Sequence, residues 1–334
     1  MKILAGDIGG TKTLLQIAEI TGENRVVLDE RRFENRNYSD FPPLLNEFLR
    51  TSSEASGIER ACIAVAGPVK QVAGGQFAKI TNLPWQIDAS ALSLATGIPW
   101  ISLINDFQAV GYGIGALSDA DLAVLQTGSP RPHAPRMIIG AGTGLGVAQM
   151  IWQGCPEPGR YEVIPSEGGH TDFAPVDEQQ IELLRYLQRR HEHVSYDRIL
   201  SGPGLISIYT FLHETAEAKS ATLQTMLEHA DPAAAISAAA QAGTEPRAIA
   251  ALDLFATIYG AQAGNLALLN LAYGGVYIAG GIAPQILIHL AAGGFMRAFL
   301  SKGRMSALLA AMPVYVVTNP KVGLMGAAVY AAKQ

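Results

Sequence analysis

Short apolar runs alternate along this chain with stretches whose apolar residues recur every three or four positions, the pattern of a mixed α/β protein. Ile3-Leu4-Ala5 predicts a short strand that enters the glycine turn Gly6-Asp7-Ile8-Gly9-Gly10-Thr11. Strands over 14–20 and 26–33 would follow it, so the chain opens as a meander. Helical spacing over 38–53 predicts a helix capped by Ser39 or Asp40, with Pro42 and Pro43 in its first turn. Buried strands are predicted at 60–66, stopped by Gly67-Pro68, and at 100–104, ending at Asn105-Asp106 ahead of a helix over 107–115.

At Met137-Ile138-Ile139 the plan restarts: a strand, the glycine turn Gly140-Ala141-Gly142-Thr143-Gly144-Leu145-Gly146, and a strand over 147–152. An offset of 134 lays Gly6 on Gly140 and Gly10 on Gly144, which predicts an internal duplication. One chemical difference stands out: Asp7 of the first turn is Ala141 in the second. Later helices are predicted over 181–191, 206–219, 233–241 and 248–271, the last with room for a break in its middle. A strand over 276–281 and an alanine-rich helix over 323–333 complete the pattern.

With 334 residues, 49% of them apolar and 16% charged, the chain can bury a large core, and about two domains of roughly 150 residues are expected. The net charge of −5 and the lack of a basic stripe exclude a nucleic-acid footprint. Cys62 and Cys155 cannot build a thiolate zinc cluster and suit a reducing compartment. The opening residues are too short an apolar run for a signal peptide, so a cytoplasmic protein is expected. No Asp, Glu, Lys or Arg lies between Asp253 and Arg297, and Gly260-xxx-Gly264 has the spacing of close-packed membrane helices. Gln262, Asn265 and Asn270 interrupt that run and Gly274-Gly275 ends it. A buried helix and strand of a soluble core are expected there, with no membrane partner.

Glycine turns let a ligand approach backbone N–H groups closely, and rows of such groups suit phosphate. No Gly-Lys pair exists for a Walker loop, and Leu145 and Val147 stand where a dinucleotide fingerprint needs its third glycine. Asp7 among such donors makes sense with Mg2+ between carboxylate and phosphate, or as a cap on its own turn. Asn105-Asp106 ends a buried strand, where α/β folds gather ligands. An aspartate there can take a proton from an attacking hydroxyl, or either residue can simply cap the next helix. Glu167-Gly168-Gly169-His170 suits hydrogen bonding to neighbouring hydroxyls, and Asp197-Arg198 precedes the loop Leu200-Ser201-Gly202-Pro203-Gly204. His191-Glu192-His193 reads as a solvated helix end, because adjacent helical positions face apart.

In this order and at these separations, Gly6–Thr11, Asn105-Asp106-Phe107, Glu167–His170, Leu200–Leu205 and Gly280-Gly281-Ile282 resemble the bacterial glucokinase family, of the sugar kinase, Hsp70 and actin fold group. The resemblance runs from residue 2 to about 330. It implies an α/β, two-lobed, actin-like ATPase fold with an internal duplication and a central cleft. The small lobe would comprise 1–112 with 318–334, and the large lobe 113–317. It implies a homodimer that phosphorylates glucose at the 6-hydroxyl from ATP with Mg2+, the first step of glycolysis. Asp106 would be the base, and Asn105, Asp106, Glu167, His170 and Asp197 would bind the sugar. Gly6, Asp7, Ile8, Gly9, Gly10, Thr11, Gly142, Thr143 and Gly144 would cradle phosphates, Gly280 and Gly281 would line adenosine, and Asp7 would hold Mg2+. Two positions depart from the family pattern: Lys12 stands where Asn is common, and Asp197 where Glu is usual. The alternatives are a kinase for another hexose or amino sugar, and a sugar sensor without catalysis.

Overall fold

Strand β1 (Lys2–Ile8) alternates its side chains between two buried faces, and the first part of the chain is arranged around it. The computed structural model describes residues 1–22, 24–72, 75–81, 83–155, 159–215 and 222–333. After β1 come β2 (Lys12–Thr21), β3 (Asn24–Glu34), helix α1 (Phe41–Thr51) and β4 (Ile58–Val65). A small antiparallel sheet, β5 (Val69–Val72), β6 (Gly75–Lys79) and β7 (Gln86–Asp88), precedes α2 (Ala89–Thr96), β8 (Trp100–Asn105) and α3 (Asp106–Ile114). Then follow β9 (Leu122–Gln126), β10 (Arg136–Ala141), β11 (Leu145–Gln153), β12 (Arg160–Ser166), α4 (Glu178–Gln188) and α5 (Gly202–Glu214). Helices α6 (Thr222–Leu227), α7 (Pro232–Gln241) and α8 (Pro246–Asn270) lead to β13 (Val276–Ala279). Short helices α9 (Ile282–Gln285), α10 (Leu287–Ala291), α11 (Gly294–Leu300) and α12 (Ser306–Ala310) come before β14 (Val314–Val317) and the last helix, α13 (Val322–Lys333).

The chain divides into two units, Met1–Asp119 with Asn319–Gln334, and Ala120–Thr318. In the first unit the sheet order is β3-β2-β1-β4-β8, with β1, β4 and β8 parallel and β2 and β3 antiparallel. Leu4 and Ile8 join Leu15, Ile17 and the α1 residues Phe41, Leu44, Leu45 and Phe48 in one core. The opposite face carries α13, which meets α3 at backbone distance: a Cβ on Gly326 would lie 1.7 Å from the Ala109 carbonyl oxygen. In the second unit β12-β11-β10-β13-β14 repeats that order and those directions, with antiparallel β9 added at the edge.

The duplicated plan of strands is therefore present, but the simple offset holds only as far as the turn. Gly6 pairs with Leu15 nine positions on, whereas Gly140 pairs with Gly146 six positions on. The second hairpin is the tighter one, and Gly10 and Gly144 are not equivalent. Three other expectations are corrected. Helix α8 is continuous, because Gly260 and Gly264 serve close packing: Cβ atoms there would lie 2.0 Å from the Phe295 and 2.6 Å from the Phe299 carbonyl oxygen of α11. Strand β13 stops at Ala279, since Gly280 takes φ +82°. Helix α5 begins at Gly202, capped by the Ser201 hydroxyl, well before the expected start at 206. The expected end at Lys219 lies outside the described residues. Among the described residues, no helix is long and apolar enough to cross a membrane.

Candidate active site

In the first unit, Ile8, Val65 and Asn105 stand in register at the carboxyl ends of β1, β4 and β8. That edge of a parallel sheet is where helix-flanked folds leave room for ligands. Gly6, Asp7 and Ile8 are strand residues with ladders on both sides, which corrects the expectation that the turn starts at Gly6. The backbones of Gly6 and Ile8 belong to the sheet, and a Cβ on Gly6 would lie 2.8 Å from Ile63 Cδ1. The turn itself is Gly9-Gly10-Thr11. Asn35 holds it from behind: its Nδ2 donates to the Gly9 oxygen at 2.8 Å, and its backbone N–H donates to the Thr11 oxygen at 2.9 Å. Thr13 Oγ1 donates to Asn35 Oδ1 at 2.8 Å, which fixes the buried amide. The two carbonyls are thereby drawn inward. The N–H groups of Gly10 and Thr11 find no acceptor among the described residues, as an anion cradle needs.

The Asp7 side chain extends to the α13 side of the sheet. A Cβ on Gly323 would come within 3.0 Å of Asp7 Oδ2, so only glycine leaves that space. Burial pushes the Asp7 carboxyl up to about 6, against the pull of Lys12. Asn105 is the N-cap of α3: its Oδ1 accepts the N–H groups of Phe107 at 2.9 Å and Gln108 at 3.3 Å, and its Nδ2 donates to the Gly67 oxygen at 3.3 Å. The capping role thus falls to Asn105. Asp106 occupies the first helical position, with Oδ1 accepting the Phe107 N–H at 2.9 Å.

In the second unit, the turn Gly142-Thr143-Gly144 is tied on three sides. Gly142 N–H donates to the Gly144 oxygen at 2.8 Å, Gly202 N–H to the Gly142 oxygen at 2.8 Å, and Leu145 N–H to Asp197 Oδ1 at 2.7 Å. The N–H groups of Thr143 and Gly144 have no acceptor among the described residues. Gly280 lies against the same strand end, where a Cβ would be 2.3 Å from the Ala141 oxygen, while the space beside Gly281 is open. The structure therefore brings Gly280 to Ala141, the residue just before the Gly142 turn. The buried Tyr259 hydroxyl accepts the Ala141 N–H at 3.1 Å and donates to the Ile139 oxygen at 3.2 Å, fixing that strand end.

Glu167, His170 and Asp197 gather around Gly169. His170 Nε2 is 4.0 Å from Glu167 Oε2, both side chains are exposed, and Asp197 N–H donates to the Gly169 oxygen at 2.8 Å. His170 and Asp197 line a cavity of about 480 Å³ with His191 and Arg198. His191 and His193 lie past the end of α4, with His193 Nε2 2.7 Å from Asp172 Oδ1. Among the described residues, no group of three or more His, Cys, Asp or Glu could hold a metal ion. A divalent cation bound through one carboxylate at the first unit's glycine turn would need phosphate oxygens and water for its remaining ligands, which is how Mg2+ binds beside phosphate. The buried Asp7 carboxylate fits that demand. Sequence reasoning missed Asn35, Tyr259 and Gly323. Each acts on a turn or carboxylate far away in the chain and carries no local signal.

A family model described as Glucokinase matches residues 4–334. The glucokinase of Nostoc sp. (strain PCC 7120) is 45% identical over 346 residues, covering 99% of each chain. Among solved structures, a glucokinase from an Antarctic psychrotroph is similar with a TM-score of 0.84 at 31% identity, covering 100% of this chain and 99% of that one. A glucokinase from Balamuthia mandrillaris in complex with glucose is similar with a TM-score of 0.81 at 22% identity, covering 100% and 94%.

Proposed function

The chain belongs to the glucokinase family, and on that premise we propose that it transfers the γ-phosphoryl group of ATP to the 6-hydroxyl of D-glucose, giving glucose 6-phosphate and ADP. The observation that carries the reading is the register of one sheet edge. Ile8 and Asn105 are level with each other on either side of β4, so the Gly9–Thr11 turn and Asp106 leave strands roughly 10 Å apart. A phosphate cradle and a candidate base at that separation suit in-line transfer to a bound hydroxyl.

In this mechanism Asn105, Glu167, His170 and Asp197 orient the sugar by hydrogen bonds to its hydroxyls. Asp106 accepts the proton of the 6-hydroxyl as that oxygen attacks phosphorus. The N–H groups of Gly10 and Thr11, and those of Thr143 and Gly144, stabilise charge on the phosphates. The open space beside Gly281, next to Gly280, would receive the adenosine. Asp7 would hold Mg2+ through water, and the bound cation would neutralise phosphate charge. Lys12 is exposed on the strand that leaves the same turn and adds positive charge beside it. We place the enzyme in the cytoplasm as a homodimer, and light scattering at twice the 35.3 kDa of one chain tests the dimer.

Replacing Asp106 by Asn tests the chemistry. Turnover should fall by roughly 10²–10⁴-fold while glucose affinity, read by calorimetry, stays within a few-fold of wild type. Near-normal turnover in Asp106→Asn would remove Asp106 as the base.

A further inference from the structure

Asp197 is bonded to both glycine-bearing segments of the second unit. Its Oδ1 accepts the Leu145 N–H at 2.7 Å, directly after the Gly142–Gly144 turn. Its own N–H donates to the Gly169 oxygen at 2.8 Å, inside the Gly168–His170 turn, and its carbonyl accepts the Ser201 hydroxyl at 2.8 Å. The next residue, Gly202, returns to the hairpin through its N–H on the Gly142 oxygen at 2.8 Å. These bonds form a closed ring: turn, Leu145, Asp197, Ser201-Gly202, and turn again. The packing agrees with it, because a Cβ on Gly144 would lie 2.8 Å from Asp197 Oδ1.

The second carboxylate oxygen has no partner among the described residues, and Asp197 lines the same cavity as His170. One oxygen thus holds the phosphate turn while the other is left for a ligand. A glutamate at this position, one methylene longer, would carry its carboxylate about 1.5 Å farther from its Cα and away from the Leu145 N–H.

We propose that Asp197 is a positioning residue that couples sugar binding to the nucleotide turn. A sugar hydroxyl donates to Oδ2 while Oδ1 keeps the Leu145 N–H, and this fixes Thr143 and Gly144 with their N–H groups toward the phosphates. The proposal rests on the glucokinase reading and extends it from a list of sugar ligands to an energetic link between two substrates. Such a link is measurable as the factor by which one ligand tightens the other, commonly about 5–150-fold.

The experiment is calorimetric titration of the non-hydrolysable analogue AMPPNP with Mg2+, with and without saturating glucose. It is run on wild type, Asp197→Asn, Asp197→Ala and Gly144→Ala, beside a glucose turnover assay of wild type. Glucose should tighten AMPPNP at least about fivefold in wild type. Asp197→Asn keeps an oxygen for the Leu145 N–H and puts an amide NH2, which donates to the sugar hydroxyl instead of accepting from it, in place of Oδ2, so it should retain part of that factor. Asp197→Ala should bring it below about twofold. Gly144→Ala leaves the carboxylate in place but pushes on Oδ1, and should lose most of the factor as well, so the test stands even if Asp197→Ala fails to fold. Loss of stability alone would not selectively change this ratio. A wild-type protein that phosphorylates glucose and shows the same factor as Gly144→Ala or Asp197→Ala overturns the coupling and leaves the assigned reaction standing. A wild-type protein that neither binds nor phosphorylates glucose overturns both.

Discussion

Asp7 places a desolvated carboxylate at the end of β1 and against the first turn of α13, a poor position for stability alone. Burial works against the charged form, and Lys12 offsets only part of that penalty. A residue held against such a penalty points to a ligand, and a cation bridging to phosphate supplies one. Without metal or nucleotide, Asp7→Asn should therefore be more stable than wild type at pH 7.5, by on the order of 1–2 kcal/mol or roughly 2–8 °C in Tm. The same variant should lose most of its kinase activity. A thermal melt in EDTA showing Asp7→Asn no more stable than wild type would contradict this. At the same scale, the sequence singled out Asp7 and Glu167 beside glycines, Asp106 at the end of a buried strand, and Asp197 just ahead of the Leu200–Gly204 loop. It could not identify Asn35, because the Gly9 carbonyl that it holds is 26 positions away.

Helices and strands were legible where the apolar period is strong, as in α1, or where an apolar or alanine-rich run is bounded by turn residues, as in β4, α7 and α13. The short strands β5, β6 and β7 were not, because most of their residues are partly exposed and alternation over three to five positions is weak. Gly202-Pro203-Gly204 reads as a loop, yet Ser201 caps it and proline suits a first turn, so it starts a helix. Helix packing then adds a pH response. His213 of α5 is buried, with Nδ1 3.2 Å from Arg247 Nη1 at the start of α8 and its ring 4.5 Å from that of Tyr209. Burial lowers its pKa from the usual 6.5 and the Arg247 charge lowers it further, while Glu245 opposes both. The unfolded chain then binds more protons than the folded one between the lowered folded value and 6.5. Stability should therefore fall as pH drops below about 6.5. Urea denaturation at pH 7.5 and pH 5.0 should show a smaller loss for His213→Gln than for wild type. Equal losses would show that His213 does not set this response.

On the scale of the whole chain, two sheets share the order and directions of five strands, and each carries a glycine turn with two N–H groups that find no acceptor among the described residues. An offset of 134 in the sequence was enough to suggest this plan, because strands and glycines recur at fixed places. It was not enough to show that the second hairpin is shorter, since pairing register depends on how the turn closes. The acid of the pair stays in one copy only: Asp7 has Ala141 as its counterpart, and Ala141 is instead held by Tyr259. One repeat thus keeps a carboxylate for charge, and the other keeps a rigid strand end. The central claim is that this arrangement phosphorylates glucose from ATP. It is tested most directly by ADP release from purified protein with Mg-ATP across a panel of glucose, mannose, fructose and N-acetylhexosamines. The account predicts selective turnover of glucose. Glucose binding without ADP release would contradict it and mark the protein as a sugar sensor.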